Sequence, residues 1–273
     1  VTEALRPGLH KNVPPHIYHT RRIGTVSKSA LDHVRRSPAH YLQWARGEDT
    51  ETTPALAFGS AFHCALLEPE RFEREYAAEP DFGDCRYKDN KAKRDAWREA
   101  HAGTTPVAVD DDKAIRAMLA SVRAHPLARN MIQAGEPELT AVWTDLETGL
   151  MCKCRADYYV ERLGMVVDVK TTLDARSNPF GRSAFDHAYH VQDALYRAGF
   201  HDVGKPIQFF VFMAVEKTPP YAIATYALDA RGIGIGYSTA RRDIERLADC
   251  IKRDEWPAYD VGIQELSLPP WAA

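Results

Sequence analysis

Apolar positions recur with helical spacing through the first half of the chain and change to strand-like runs of β-branched residues past about residue 135. Residues 1–24 carry no such period and read as irregular. Ser27–Arg36 and Ser37–Arg46 then predict two short helices, the second opened by Ser37 as cap with Pro38 in the first turn. Gly47–Pro54 is a polar loop. Leu56–Leu67 (LAFGSAFHCALL) is apolar nearly all round, which predicts a buried helix ended by Pro69, with His63 inside it. Glu79–Arg86 is turn-like, and helices follow over Asp89–His101 and Asp110–Ala124, the latter interrupted at Pro126 and resumed to about Ala134.

Glu138–Thr144, Leu150–Val160 and Met165–Thr171 are three β-rich segments with short connections, the pattern of an antiparallel meander. Beyond a polar loop holding Asn178-Pro179, a helix over Ser183–Ala198, strands over Ile207–Val215 and Ala222–Leu228, and a closing helix over Ile235–Arg253 complete a mixed α/β core.

Composition narrows the class. The 273 residues are 45% hydrophobic and 27% charged, ordinary for a soluble protein, and no apolar run approaches the roughly 20 residues of a membrane span. The N-terminal segment lacks the apolar stretch of a secretory signal, so a cytoplasmic location is expected. Five cysteines, an odd number, read as packed thiols rather than a disulfide framework, and Cys152 and Cys154 lack a second pair at zinc-ligand spacing. A net charge of −3 argues against coating of DNA by bulk electrostatics, so any DNA contact must be local. The run from Arg86 to Arg98 offers one such patch, with a solvated helix face as its plain alternative.

Chemistry concentrates in Met165–Thr172 (MVVDVKTT), where Asp168 and Lys170 interrupt a β-branched run. Charges in a buried strand need partners. Strand alternation projects Asp168 and Lys170 to one side and turns Val167 and Val169 into the core on the other. Asp157 stands near the end of the neighbouring segment (GLMCKCRADYY), one short hairpin away, so the two carboxylates can converge. At about 4 Å their repulsion is on the order of 4 kcal/mol at an effective dielectric near 20, which a divalent cation removes. Hard oxygen ligands favour Mg²⁺, with Mn²⁺ as substitute, and the backbone carbonyl of Val169 could complete the protein's share of the shell. Lys170 beside the metal can hold or deprotonate an attacking water. His63 is either a core residue or a ligand of the same centre. Gln192 and Tyr196, four apart on one helical face, can bind a phosphate or orient Lys170, or simply pack. Glu138, and less directly Glu136, can approach from the first strand of the meander.

The blocks SKSALDHVRRSPAHY (Ser27–Tyr41), LAFGSAFHCALLEPERF (Leu56–Phe72), PDFGDCR (Pro80–Arg86), TGLMCKCRADY (Thr148–Tyr158), VVDVKTT (Val166–Thr172) and YHVQDALY (Tyr189–Tyr196), in this order, resemble the PD-(D/E)xK nucleases of the RecB and phage-exonuclease type. The likeness narrows to the exodeoxyribonuclease VIII (RecE-type) C-terminal nuclease family and spans roughly residues 6–215. It departs in lacking the proline before Asp157, where Arg155-Ala156 stand.

The resemblance implies a PD-(D/E)xK core, a central mixed sheet flanked by helices, over residues 106–260. It adds a helical N-terminal region over 1–105 that contributes His63, and a tail over 261–273. It gives His63, Asp157, Asp168 and Lys170 the catalytic and metal-binding roles, with Gln192 and Tyr196 as the family's glutamine-tyrosine motif. It further implies digestion of linear double-stranded DNA from its ends, 5′ to 3′, leaving 3′ overhangs for a single-strand annealing protein. The expected assembly is a ring-shaped homo-oligomer, a tetramer, in a bacterial cytosol and of phage-type origin. A Cas4-like or structure-specific endonuclease and a catalytically inactive DNA-binding adaptor are the alternatives; the first needs a cysteine cluster near the C-terminus, where only Cys250 lies. No phosphate-binding Gly-Lys-Ser/Thr loop is present, so an ATP-driven activity would need another subunit.

Overall fold

The structure, a computed structural model, describes residues 5–48, 53–259 and 262–267. In chain order these form β1 (Gly8–His10), α1 (Pro15–Tyr18), β2 (Thr25–Val26), α2 (Lys28–Arg36), α3 (Pro38–Ala45), α4 (Pro54–Leu67), α5 (Pro69–Glu75) and β3 (Tyr76–Glu79). There follow α6 (Lys88–Ala100), β4 (Thr105–Ala108), α7 (Val109–Ala124), α8 (Pro126–Met131), β5 (Glu136–Thr144), β6 (Met151–Val160) and β7 (Met165–Thr172). The chain closes with α9 (Ser177–Asp186), α10 (Tyr189–Asp202), β8 (Phe209–Glu216), β9 (Ile223–Tyr226) and α11 (Ala230–Arg253). Among the described residues no helix is long and apolar enough to cross a membrane.

The meander expected from the β-rich segments is the centre of a seven-stranded sheet ordered β1-β5-β6-β7-β8-β9, with β2 also pairing β6. β5 pairs β6 and β6 pairs β7 antiparallel, whereas β2 lies parallel to β6 and β7 pairs β8 in parallel over its full length, from Met165↔Phe209 to Thr172↔Glu216. A parallel pair needs a crossover, and α9 and α10 supply it. Helices then cover both faces. One core lies between the sheet and α2, α10 and α11, with Leu31, Phe200, Phe210, Phe212 and Leu247 nearly inaccessible. The other lies under α4 and α7, around Phe62, Ile115, Met118, Val167, Val169 and Met213. Each such side chain contributes roughly 1.5–3 kcal/mol on burial. Gly199 lets α10 lie against Trp143, since a Cβ there would stand 2.3 Å from the indole, and so fixes the height of α10 above the sheet.

Several expectations shift. Residues 1–24 are not wholly irregular: β1 adds to β5 as an edge strand, α1 follows, and β2 lies beside β6. Elements of two to four residues carry no period, and only their partners define them. Residues before 105 therefore contribute strands to the central sheet as well as helices. Pro69 does not merely end a helix; it opens α5, its missing N–H being harmless at N1. The helix expected over Ser183–Ala198 is two, broken at Ala188, which takes φ 50° with no glycine or proline to announce it. Pro179 lies inside the first turn of α9 rather than in a loop. β3 and β4, unforeseen, pair in parallel as a small separate sheet. Positions 49–52 of the loop expected over Gly47–Pro54, and the tail expected over 261–273 apart from 262–267, lie outside the described residues.

Candidate active site

The site begins where two strands part. β6 and β7 pair through Tyr158↔Val167, Tyr159↔Val166 and Val160↔Met165, and the ladder stops one step later, at Asp157 and Asp168. The Val169 N–H donates to Asp157 Oδ2 at 2.7 Å, so a carboxylate takes the place of a ladder carbonyl. Facing slips at the same level: Cys152, Cys154 and Ala156 of β6 point to one core, but Tyr158 and Val160 point to the other. Glu138 on the adjoining β5 takes φ 51°, a left-handed conformation uncommon for a side chain of this kind. Kinked together, β5 and β6 open a wedge reached from both faces of the sheet.

Both layers supply side chains to it. From α4, His63 places Nδ1 3.5 Å from Asp157 Oδ2. From α10, the Gln192 amide donates to Asp168 Oδ2 and accepts from Lys170 Nζ at 3.1 Å. Lys170 Nζ also lies 2.5 Å from Asp168 Oδ1 and 4.7 Å from the centre of the Tyr189 ring, a cation–π distance. Val167 and Val169 are buried in the opposite core, as alternation requires. The side bearing Asp168 is no more open, because α10 covers it and Asp168 is 0% exposed. Tyr196 is also buried, edge-on to Phe210, and its upper end reaches the cleft.

A cleft of about 660 Å³ opens over His63, Asp157, Glu138, Gln192 and Tyr196. Burial pushes Glu138 up to about 7, with the charge of Asp157 adding to the rise and Arg155 opposing it. Burial likewise holds Asp168 up at about 6 against the pull of Lys170, and Asp157 adds to that rise. For Lys170 burial works against the ammonium, yet Asp168 and Asp157 outweigh it and keep its pKa above the ordinary lysine value. Mutual effects of this kind mean that Asp157, Asp168 and Glu138 share one electrostatic neighbourhood. Glu136 does not belong to it: it pairs with Lys11 at 2.7 Å.

The same cleft holds groups that sequence reasoning passed over. Lys153 and Arg155 precede Asp157 at alternate positions of β6, so strand alternation applied backward from Asp157 would have indicated them. Glu68, at the end of α4, pairs with Arg71 at 2.5 Å, and both line the wall. Lys28, Arg21 and Tyr18 enter from the N-terminal segment, and only the tertiary fold brings them there. The basic run from Arg86 onward, by contrast, is a solvated helix: α6 buries no residue, and Arg86, Arg94 and Arg98 pair with Asp84, Asp95 and Glu79. Cys64, Cys152, Cys154 and Cys250 are buried free thiols and Cys85 is half-buried.

Among the described residues, no three histidine, cysteine or acidic side chains already converge in the geometry of a metal centre. The donor chemistry nevertheless suits a hard divalent ion. Asp168 Oδ1 is buried and accepts no well-directed hydrogen bond, its nearest counter-charge being the Lys170 ammonium. Asp157 and Glu138 face the same wedge, and His63 adds one nitrogen, as Mn²⁺ tolerates and Mg²⁺ tolerates less readily.

No curated protein matches the chain by sequence. Among solved structures, the crystal structure of a "Putative exonuclease" from Eubacterium rectale is similar at TM-score 0.60 and 11% identity, over 95% of this chain and 96% of that one. That likeness is one of fold. A second structure, that of SSO0001, reaches TM-score 0.29 at 18% identity over 68% of this chain and 85% of that one, and carries no argument. The family model described as "PDDEXK-like domain of unknown function (DUF3799)" matches residues 27–266, which include β5 to β9 of the parted sheet and all six of the motif residues placed above. With nearly the whole chain accounted for, the protein belongs to this PDDEXK-like family.

Proposed function

We propose that the chain is a divalent-metal-dependent deoxyribonuclease that hydrolyses phosphodiester bonds in the wedge between β6 and β7. One observation carries the reading: two acidic side chains stand on strands that stop pairing at their level, beside a lysine held by Asp168 and Gln192. Purely structural ion pairs do not require a sheet to open. Asp157, Asp168, His63 and the Val169 carbonyl would hold the ion, with Glu138 beside them. Bound there, Mg²⁺ or Mn²⁺ supplies charge stabilisation at the phosphate and lowers the pKa of water.

The chain's own groups do the rest. Lys170 donates to a non-bridging phosphate oxygen or orients the attacking water, and Asp168 keeps its ammonium protonated and in place. Gln192 fixes the separation of Asp168 and Lys170 by bonding both. His63 braces Asp157, and the cationic wall of Arg21, Lys28, Lys153 and Arg155 attracts the phosphate backbone into an otherwise acidic protein. Tyr196 and Gln192 border the path of the reacting strand.

The finer reading is a 5′ to 3′ exonuclease acting on ends of linear double-stranded DNA and leaving 3′ overhangs for an annealing protein. It extends to a tetrameric ring in the cytosol of a bacterium, of phage-type origin. It is supported by the ordered motif blocks and by the fold shared with the Eubacterium rectale protein. Linear duplexes labelled at either end, compared with a closed circle with and without Mg²⁺, test it. Loss of linear forms alone, from the 5′ end, is the expected result. Nicking of the circle would select an endonuclease, and intact DNA under every metal would leave a binding adaptor.

A further inference from the structure

A second cleft, of about 650 Å³, begins where the first ends, and Ser60 and His63 line both. Asp157 lies on the first and Lys170 on the second, so the reacting groups straddle the junction. A ligand that reached both would have to be a chain threaded across it. The two clefts differ in chemistry. The first is walled by cations, whereas the second is flanked by Leu56, from the first turn of α4, and Leu173, from the loop after β7. These leucines are 61% and 74% exposed. A single exposed leucine is unremarkable in a soluble protein; two on one cleft beside a charged lysine indicate an apolar contact made by a ligand.

Sequence periodicity places α4 as wholly buried, but burial starts only at Ala61 and leaves the first turn exposed. Tyr189, also on this cleft, stacks on Phe212 at 5.4 Å between ring centres. Lys217, at the rim, makes no ion pair among the described residues.

We infer that this second cleft is a subsite for unstacked bases of the DNA strand being cut, contacted by Leu56 and Leu173, with Lys217 on a neighbouring phosphate. A cleft of this size takes ligands of small-molecule dimensions, one or two nucleotides rather than a duplex. The DNA at the reacting centre is then a single strand, already separated from its complement. This deepens the nuclease reading and rests on it for the direction of the strand, but the base contact can be measured without cleavage.

The test is fluorescence anisotropy of a labelled single-stranded oligonucleotide in EDTA, beside an oligonucleotide of equal length made of abasic residues. Leu56→Ala with Leu173→Ala should weaken binding of the normal strand about ten-fold and of the abasic strand less than two-fold. Both leucines are exposed, so an unchanged melting temperature should accompany the loss. Lys217→Ala should weaken both strands alike and reduce the salt slope by about one. Equal binding by the leucine variant and the parent, or equal loss on both strands, overturns the subsite, as does a parent that binds no single strand. A parent that cuts no DNA but shows the base-dependent loss refutes the nuclease reading and keeps the subsite; one that cuts DNA with no such loss does the reverse.

Discussion

The two halves of the candidate site are built on opposite principles. Asp168, Lys170 and Gln192 form a closed set in which each polar group is committed to another and Asp168 has no contact with solvent. Asp157, His63 and Glu138 form an open set on a cleft, where His63 and Asp157 stand 3.5 Å apart and each carboxylate has one further partner, the Val169 N–H for Asp157 and Arg155 for Glu138. The closed half is preorganised and keeps its lysine charged. The open half admits the ligand. A site enclosed throughout would exclude DNA, and one open throughout would let its like charges drift apart, so the contrast suits a centre that binds a polyanion through a metal.

Substitutions should separate the halves by stability as well as by rate. The largest effect is expected from Asp168→Ala, which strands the Lys170 ammonium in a buried place; broken buried pairs cost about 3–5 kcal/mol. Asp157→Ala should abolish cleavage equally but cost less, about 1–3 kcal/mol, chiefly through the unpaired Val169 N–H. Urea unfolding of the two variants checks this, and equal losses would erase the distinction between the halves. Lys170→Ala should lower the cleavage rate by at least about 10²-fold, read in single-turnover assays. Gln192→Leu leaves Asp168 Oδ2 without its donor and should cost about 1–3 kcal/mol while slowing cleavage.

The pH response sharpens the contrast further. Carboxyls whose folded pKa is raised bind protons more tightly in the native state, so stability without metal falls as pH climbs from ordinary carboxylate values, about 4, towards 6 and 7. Protons compete with the metal for these carboxylates, so metal-supported activity should move the opposite way, declining as pH falls, with the decline displaced to lower pH as the metal concentration rises. Glu138→Gln should make that decline shallower, because one of the protonating carboxyls is gone. The smallest effect belongs outside both halves: Lys88→Ala, Lys91→Ala and Lys93→Ala together, on the solvated α6, should change stability by no more than about 0.5 kcal/mol per site.

Much of the site was legible because its signals are local. An aspartate and a lysine two apart in a β-branched run, and an acid one hairpin earlier, state their own geometry, since period-two alternation needs no knowledge of the rest of the chain. Gln192 and Tyr196 share a helix face for a similar reason. The contributions of Lys28, Arg21 and Glu68 were not legible, because each lies on a different element and nothing in its neighbourhood records which wall it will face. The break at Ala188 was hidden as well, a left-handed alanine being dictated by where α10 must dock rather than by any intrinsic preference.

What the sequence determined by itself is the order of elements in the core, the antiparallel meander and the identity of the charged groups within it, because propensity and periodicity are properties of neighbouring residues. The tertiary structure alone decided where β6 and β7 stop pairing, which face each carboxylate is left on, and that two clefts meet at His63. These depend on contacts between residues distant in the chain, α4 on one side of the sheet and α10 on the other, and only their packing sets how far the strands can part.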